Sequence, residues 1–600
     1  MLLTLIDWLV IGAYMLFTLF VGLWVMKKSG ADSTEYFAAG KNMPWWLLGI
    51  SMVATTFSTD TPNLVTDIVR QNGVAGNWTW WAFLLSGMMT VFIYAHLWKR
   101  SGILTDVEFY ELRYSGKSAA FLRGFRAIYL GLIFNVIIMA SVSLAAIKLG
   151  TVIMGLTPLQ TILIAGTVTV IYSALGGLRS VLITDFFQFF LSILGGFIAA
   201  YVALSHPDVG GFSGLFTNAD VQPLMNMLPD FSDTSQLWAI FIIPLAVQWW
   251  SVYYPGSEPG GGGYVAQRML AAKDENNAVG AVFLFNALHY ALRPWPWILV
   301  GLCSVIVFPT LDSISEAFPH ASGVVGHDMG YPAMLTFLPV GWMGVVIAGL
   351  IAAYMSTIST HLNWGSSYIV HDFYKRFVRP ESTEKELVNV GRISTVVLMI
   401  LAGWLALAMT SALDNFQIIL QIGAGTGLIF ILRWFWWRVN AWSEISAMIV
   451  SFLVALYFRF LHASTGLPVL NSWQELLAGV VITTIVWVTV TYLTRPTSED
   501  TLVSFCMKIR PGGPGWVRIR AMADRRGVKI SDIEDKSWRV PQGIYCMVLG
   551  CIVIYGILLA TGYWIYGNIL PASILTVIVV VASFALKTAW LKMAADTPEE

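Results

Sequence analysis

The chain of 600 residues carries 35 basic and 35 acidic side chains, so its formal charge is zero. Hydrophobic residues make up 57% of it and charged residues only 12%, with a mean hydropathy of +0.69. That profile excludes a soluble globular protein. The zero net charge, as an average over two faces, says nothing of nucleic acid, and no partner of that kind is expected.

Apolar stretches long enough to span a bilayer lie near 5–26, 45–69, 78–98, 126–150, 157–177, 184–205, 236–255, 278–308, 333–362, 390–410, 416–433, 440–462, 473–493, 541–562 and 570–590. They predict an all-α integral membrane protein of about 15 transmembrane helices. The first carries Asp7, has no basic start and shows no cleavage site, so it reads as a retained helix. With the N-terminus outside and the C-terminus cytoplasmic, 31 of the 35 Lys and Arg fall on the inner side. Among them are Arg113, Arg126, Arg268, Arg433 and ten residues of the loop 494–540. The loops near 206–235 and 309–332 hold no Lys or Arg while carrying Asp208, Asp220, Asp230, Asp312, Glu316 and Asp328, a positive-inside pattern. The four cysteines are scattered and imply neither a metal site nor a disulfide framework.

Chemistry begins in the second stretch, where a polar run from Thr55 to Asn63 includes Asp60, Thr61 and Pro62 at membrane depth. Non-helical backbone is tolerated there only inside protein or beside a cavity, and a broken helix frees carbonyls to bind a cation. Trp78, Trp80 and Trp81 suit either an outer vestibule or an interfacial aromatic belt. The seventh stretch is interrupted after Gln248, Trp249 and Tyr253 by Pro255, Glu258, Pro259 and Gly260–Gly263. No Lys-Ser/Thr follows those glycines and no strand precedes them, so they are not a phosphate cradle. Arg293 sits mid-segment between His289 and Pro294, and it suits pairing with Asp60 or Glu258, or holding a substrate carboxylate.

The ninth stretch ends in Tyr354-Met355-Ser356-Thr357-Ile358-Ser359-Thr360-His361. On a helix Ser356, Ser359 and Thr360 share one face, with Thr357 beside them. Hydroxyl and carbonyl oxygens without thiolates or imidazoles suit a hard cation such as Na+, although hydroxyls also glue membrane helices together. Gln417 and Gln421 on the eleventh stretch add polar groups for a cavity. The loop 494–540 is too short and polar for a catalytic domain of its own. No Ser/His/Asp set, HExxH, carboxylate pair or nucleotide motif appears, so the chain does not read as an enzyme.

Phe37-Ala38-Ala39-Gly40-Lys41 with Pro44-Trp45-Trp46, the run Gly176–Gln188, Gln267–Asp274, the 352–363 stretch and Arg433–Arg438 together resemble the sodium/solute symporter family of bacterial galactose, proline and sialic acid transporters. The resemblance implies a LeuT-type inverted repeat of five plus five helices, with one extra N-terminal helix and about four extra C-terminal helices. The parts would be 1–44 (extra helix and turn), 45–205 (first repeat), 206–235 (outer loop), 236–440 (second repeat), 441–493, 494–540 (cytoplasmic loop) and 541–600 (last helices and tail). It implies a sodium site from Ala54, Phe57, Ala353, Ser356 and Thr357. It also implies a second site from Asp185, Ser356, Ser359 and Thr360, unless Asp185 merely caps a helix beginning near Phe186.

The expected activity is sodium-coupled import of a small polar organic solute by alternating access, in a multi-pass cell-membrane protein whose functional unit is a monomer among lipid. Sugars are slightly favoured over amino acids or organic acids. A non-transporting solute sensor on the same fold is the competing class. Candidates for the solute site are Asp60, Thr61, Trp80, Gln248, Trp249, Tyr253, Glu258, Arg293 and Gln421.

Overall fold

In the computed structural model the described residues are 3–29, 32–251, 258–319, 325–409, 423, 425–528 and 538–595, side chains at 26–29, 175, 594 and 595 excepted. Tyr253, Gln417 and Gln421 lie outside them. The described backbone is helical, with no strand beyond a bridge between Met43 and Ala272. Among these residues, 11 helices are long and apolar enough to cross a membrane, and shorter apolar helices occupy Trp45–Thr55, Pro158–Ala174 and Thr234–Ala246. Part of the stretch expected at 416–433 lies outside the described residues, and its far end forms the helix Gly427–Leu432.

The second stretch is broken as its polar run suggests. One helix spans Trp45–Thr55, a second spans Asp60–Asn72, and the residues between form a turn in which the Phe57 amide bonds back to the Ala54 carbonyl at 3.0 Å. The fifth and sixth stretches form one continuous run, Pro158–Leu204, kinked at Gly177 with φ of 56°. A Cβ at Gly177 would stand 2.6 Å from the Tyr36 carbonyl oxygen, so both the backbone angle and the space require glycine. Asp185 lies well inside the second half of this run. It therefore does not cap a helix start near Phe186.

The ninth stretch begins later and runs further than expected. A short helix, Gly330–Leu335, ends before Pro339, and the long helix starts at Trp342 and continues to Val378. Its first amides are satisfied from another helix, since Asp7 Oδ1 accepts from the Gly341 and Gly344 amides at 2.8 Å each. This gives the acid in the first apolar helix a structural role. The long helix packs along both halves of the kinked run: Tyr172 of the first half donates to the Met355 carbonyl at 3.0 Å, and the second half carries Asp185. Small residues allow close approach there: a Cβ on Gly349 would lie 3.0 Å from the Leu191 carbonyl, and Ser192 donates to the Gly349 carbonyl at 2.8 Å. That pairing brings Asp185 to Ser356.

The loop 494–540 is not free. Its helices Glu499–Ile509 and Val517–Arg525 flank a stack of Phe505 on Trp516 with centroids 5.4 Å apart, both rings fully buried. Trp516 donates to the Trp434 carbonyl at 2.9 Å, and the Arg113 guanidinium lies 4.8 Å from the Trp516 ring centroid. Arg113, Arg126, Arg268 and Arg433, expected in solvated loops, are all buried. Arg126 pairs with Glu258 at 3.2 Å and Arg433 with Glu444 at 3.6 Å. Arg113 donates instead to the carbonyls of Arg433 and Trp436. Buried guanidinium groups survive because acids, carbonyls and aromatic faces replace the lost water.

Candidate functional site

The break in the second stretch meets the hydroxyl-rich turn of the ninth. Thr357 Oγ1 lies 2.7 Å from the Thr55 carbonyl oxygen and 3.1 Å from that of Ala353. Thr55 and Thr360 hydroxyls are 3.0 Å apart, tying the two helices a turn further along. Ala353, Ser356, Thr357 and Thr360 are essentially buried, as are Ala54 and Phe57 beside them. Of the first expected sodium site, Ala353 and Thr357 meet directly at this crossing, and Ser356 is next to Thr357. Ala54 and Phe57 flank the break within two residues of the Thr55 carbonyl. Neutral oxygens of this kind suit a hard monovalent cation.

Those of the second expected site come together only in part. Asp185 is fully buried, and its two carboxylate oxygens accept from Ser51 and Ser356, the latter at 2.6 Å. Ser359 turns away and donates to the Ser356 carbonyl at 3.1 Å. A guanidinium occupies the space between the remaining groups. Arg268 donates to Thr360 Oγ1 at 2.7 Å and to Ser51 Oγ at 3.2 Å, and its Nη2 stands 3.9 Å from Asp185. Gln267 Oε1 accepts from the same arginine at 2.9 Å. Residues 267 and 268 stood out in the sequence only as a family-like run. That Arg268 enters the core rather than a loop is visible only from the structure.

A cavity of about 40 Å³ lies beside this crossing. Its described lining includes Thr56, Ser86, Thr90, Glu258, Asn286 and His289, with the rings of Tyr264 and Tyr290. Asn286 Nδ2 donates to the Val282 carbonyl at 2.8 Å, while its Oδ1 is buried without a hydrogen-bond partner. A Cβ on Gly87 would come 1.8 Å from that oxygen, so glycine makes the room for it. No lysine or arginine is among the described lining residues.

Of the described solute candidates read from sequence, Glu258 lines this cavity and the others stand around it or elsewhere. Trp80 stacks on Tyr290 at 5.8 Å between centroids and donates to Asn77. Arg293 donates to Thr56 Oγ1 at 2.9 Å and lies over the rings of Phe57 and Trp297. Glu258, offered as a partner for Arg293, pairs with Arg126 instead. Asp60 opens the helix Asp60–Asn72, Thr61 donates to the Thr56 carbonyl, Gln248 donates to the Thr79 carbonyl and Trp249 packs on Trp250. Ser86, Thr90, Asn286, His289 and Tyr290 were missed. Their spacing carried a signal: Phe83, Ser86, Gly87 and Thr90 fall at i, i+3, i+4, i+7, as do Val282, Phe285, Asn286 and His289.

Residues 36–451 match the sodium:solute symporter family. The chain is 30% identical over 483 residues to a sodium/glucose cotransporter of Vibrio parahaemolyticus, covering 77% of this chain and 86% of that protein. It is 26% identical over 541 residues to human sodium/myo-inositol cotransporter 2, covering 82% and 77%. Among solved structures it superposes on a Na+-coupled sialic acid symporter in a substrate-bound outward-open state, with a TM-score of 0.65 and 21% identity over 82% of this chain and 99% of that one. The fold is therefore the LeuT type, and the family and its relatives are transporters, in line with the non-enzymatic reading of the sequence. With a family match across most of its length, the chain belongs to the sodium:solute symporter family and is a multi-pass, sodium-coupled solute symporter.

Proposed function

We propose that the solute is a sugar or a related polyol. The observation that carries this reading is the cavity beside the helix break, where acceptors and hydroxyls gather without a described cationic side chain. A polyol needs acceptors for its hydroxyl protons, which the Glu258 carboxylate and the unpartnered Asn286 Oδ1 supply. Tyr264 and Tyr290 offer faces for its apolar C–H surface. The glucose and myo-inositol cotransporters among the relatives support the same class. Space for about three waters is too little for a hexose. Solute entry therefore needs the two repeats, which we place at 45–205 and 236–440, to move against each other about the cavity.

The coupling ion is Na+, and we assign its site to the carbonyls of Ala54, Phe57 and Ala353 with the hydroxyls of Ser356 and Thr357. At the Asp185 position we read the Arg268 guanidinium as a built-in cation in place of a second sodium. One sodium crossing a potential of about 100 mV releases roughly 2.3 kcal/mol, enough for about forty-fold accumulation of a neutral solute before any sodium gradient is counted.

Uptake into proteoliposomes tests the solute class with D-glucose, myo-inositol, N-acetylneuraminic acid and proline under an inward sodium gradient. Saturable sodium-dependent uptake is expected for glucose or myo-inositol. Asn286→Ala should lower its kcat/KM by about ten- to hundred-fold, the range for losing a buried hydrogen bond to a solute hydroxyl. Uptake restricted to N-acetylneuraminic acid or proline would overturn the sugar reading and leave sodium symport standing.

Orientation is tested separately, with the N-terminus placed outside. Cys506 is fully buried and so is a poor labelling site, but its neighbour Met507 is 54% exposed. A cysteine at Asp220 should react with an impermeant maleimide on intact cells, and Met507→Cys only after permeabilisation. The reverse pattern would invert the map.

A further inference from the structure

Within the turn that interrupts the second stretch, one side chain joins the proposed sodium site to the solute cavity. Thr56 Oγ1 stands 2.9 Å from Arg293 Nη1, 3.1 Å from His289 Nδ1 and 2.9 Å from the Val53 carbonyl oxygen. Counting protons leaves two arrangements, in which the hydroxyl proton goes either to the carbonyl or to the imidazole, and local geometry favours the first. The guanidinium can only donate and the carbonyl can only accept, while the hydroxyl has one proton and two lone pairs. A threonine hydroxyl bonding back to a carbonyl of its own helix is a common local geometry. With its proton on the Val53 carbonyl, Thr56 accepts from Arg293 and from His289 Nδ1–H. The imidazole then keeps a free lone pair on Nε2, a tautomer assigned from this network. His289 lines the cavity, and its ring is braced by Tyr290 at 4.4 Å and Trp80 at 5.6 Å between centroids.

The backbone on either side of Thr56 is the backbone of the proposed sodium site. The Thr55 carbonyl meets Thr357 at 2.7 Å, and the Phe57 amide meets the Ala54 carbonyl at 3.0 Å. A cation held by the carbonyls of Ala54 and Phe57 fixes the turn and so fixes where the Thr56 oxygen sits.

We infer that Thr56 is a positioning residue that relays sodium occupancy to the solute cavity, holding His289 as an Nδ1–H donor so that Nε2 accepts a hydroxyl proton from the solute, with Arg293 anchoring the Thr56 oxygen. This rests on the sodium and polyol readings above. It adds what neither contains: a specific route by which the ion raises affinity for a hydroxylated solute, and by linkage the solute raises affinity for the ion. Arg293 here acts on the threonine, not on a carboxylate of the solute.

The test uses the full chain in lipid nanodiscs, labelled with ¹⁵N-histidine, and Na+ alone as the probe against choline. Of the eight histidines, His289 is assigned by the signal missing in His289→Gln. The wild-type ring should show a protonated Nδ1 and a bare Nε2, and sodium should shift both signals. Thr56→Ser should keep that response. Thr56→Val should lose it, while the sodium concentration for half-maximal thermal stabilisation stays within about twofold, well below the usual range of site-to-site coupling. An Nε2–H ring, signals indifferent to sodium in a wild type that sodium stabilises, or a Thr56→Val response like the wild type would each overturn the relay. If Thr56→Val does not assemble, the wild-type tautomer and its sodium response still decide. A wild type that sodium fails to stabilise sinks the sodium-site reading itself, a result distinct from failure of the relay.

Discussion

Arg268→Gln lowers the stability of the protein in choline by about 3–5 kcal/mol, the effect of leaving a buried charge without its partner, and creates a second sodium dependence. Both effects follow from Asp185. Its carboxylate is fully buried, accepts from Ser51 and Ser356, and has Arg268 at 3.9 Å as the cation within ion-pair distance among the described residues. With the guanidinium gone, Asp185, Ser356 and Thr360 become a vacant set of hard oxygens carrying a full negative charge. Sodium should then recover much of the lost melting temperature, and the Hill coefficient for sodium in uptake should rise from near one toward two. Asp185→Asn combined with Arg268→Gln should restore stability in choline and return the coefficient to near one. If Arg268→Gln melts in choline like the wild type, the guanidinium is not the partner of Asp185. A wild-type coefficient near two would show that sodium and Arg268 share the site.

The second large effect is expected at the crossing of the two helices. Removing both hydroxyls in Ser356→Ala with Thr357→Ala should raise the half-maximal sodium concentration for uptake by about thirty-fold, taking about 1 kcal/mol per lost polar contact. Because Ser356 also donates to Asp185 at 2.6 Å, Thr357→Ala alone is the cleaner variant. Thr357 reaches the Thr55 and Ala353 carbonyls and not Asp185. Thr357→Ser, which keeps the oxygen, should stay near the wild type. Unchanged sodium dependence in a folded Thr357→Ala protein would move the coupling ion away from this crossing.

What the sequence revealed depended on whether a signal was local. Pro62 and the polar run around it marked a broken helix without any knowledge of its neighbours, because membrane-depth backbone must be satisfied somewhere. The four hydroxyls at 356–360 marked an oxygen-rich face through helical periodicity alone. The cavity was harder to read, because its lining comes from four separate segments, near 56, 83–90, 258–265 and 282–290, each contributing only a few residues. Ser86, Gly87, Thr90 and Asn286 look ordinary one at a time. Arg293 drew attention as a lone charge, and its contacts include a hydrogen bond to the Thr56 hydroxyl, which no charge-pairing rule would select. The basic residues misled most. Arg113, Arg126, Arg268 and Arg433 were counted toward solvated loops because positive-inside statistics treat every arginine alike. The partners of three of them, Glu258, Asp185 and Trp516, lie between 83 and 403 positions away in the chain. Glu444, 11 positions from Arg433, lies in the first turn of the next helix.

Trp516 also bears on how the protein is made. It closes over Arg113 and donates to the Trp434 carbonyl, and with Phe505 it fills a space against Phe109 and Trp434. Ribosomes deliver residues 499–525 only after the helices they cover have been synthesised. Until then the nascent chain presents Arg113, Phe109 and Trp434 uncovered at one end of the bundle, the kind of transient apolar surface that quality-control factors recognise. The docked segment therefore acts as a late seal on assembly, and a chain interrupted before Glu499 is expected to be degraded even though its ion and solute residues are all in place.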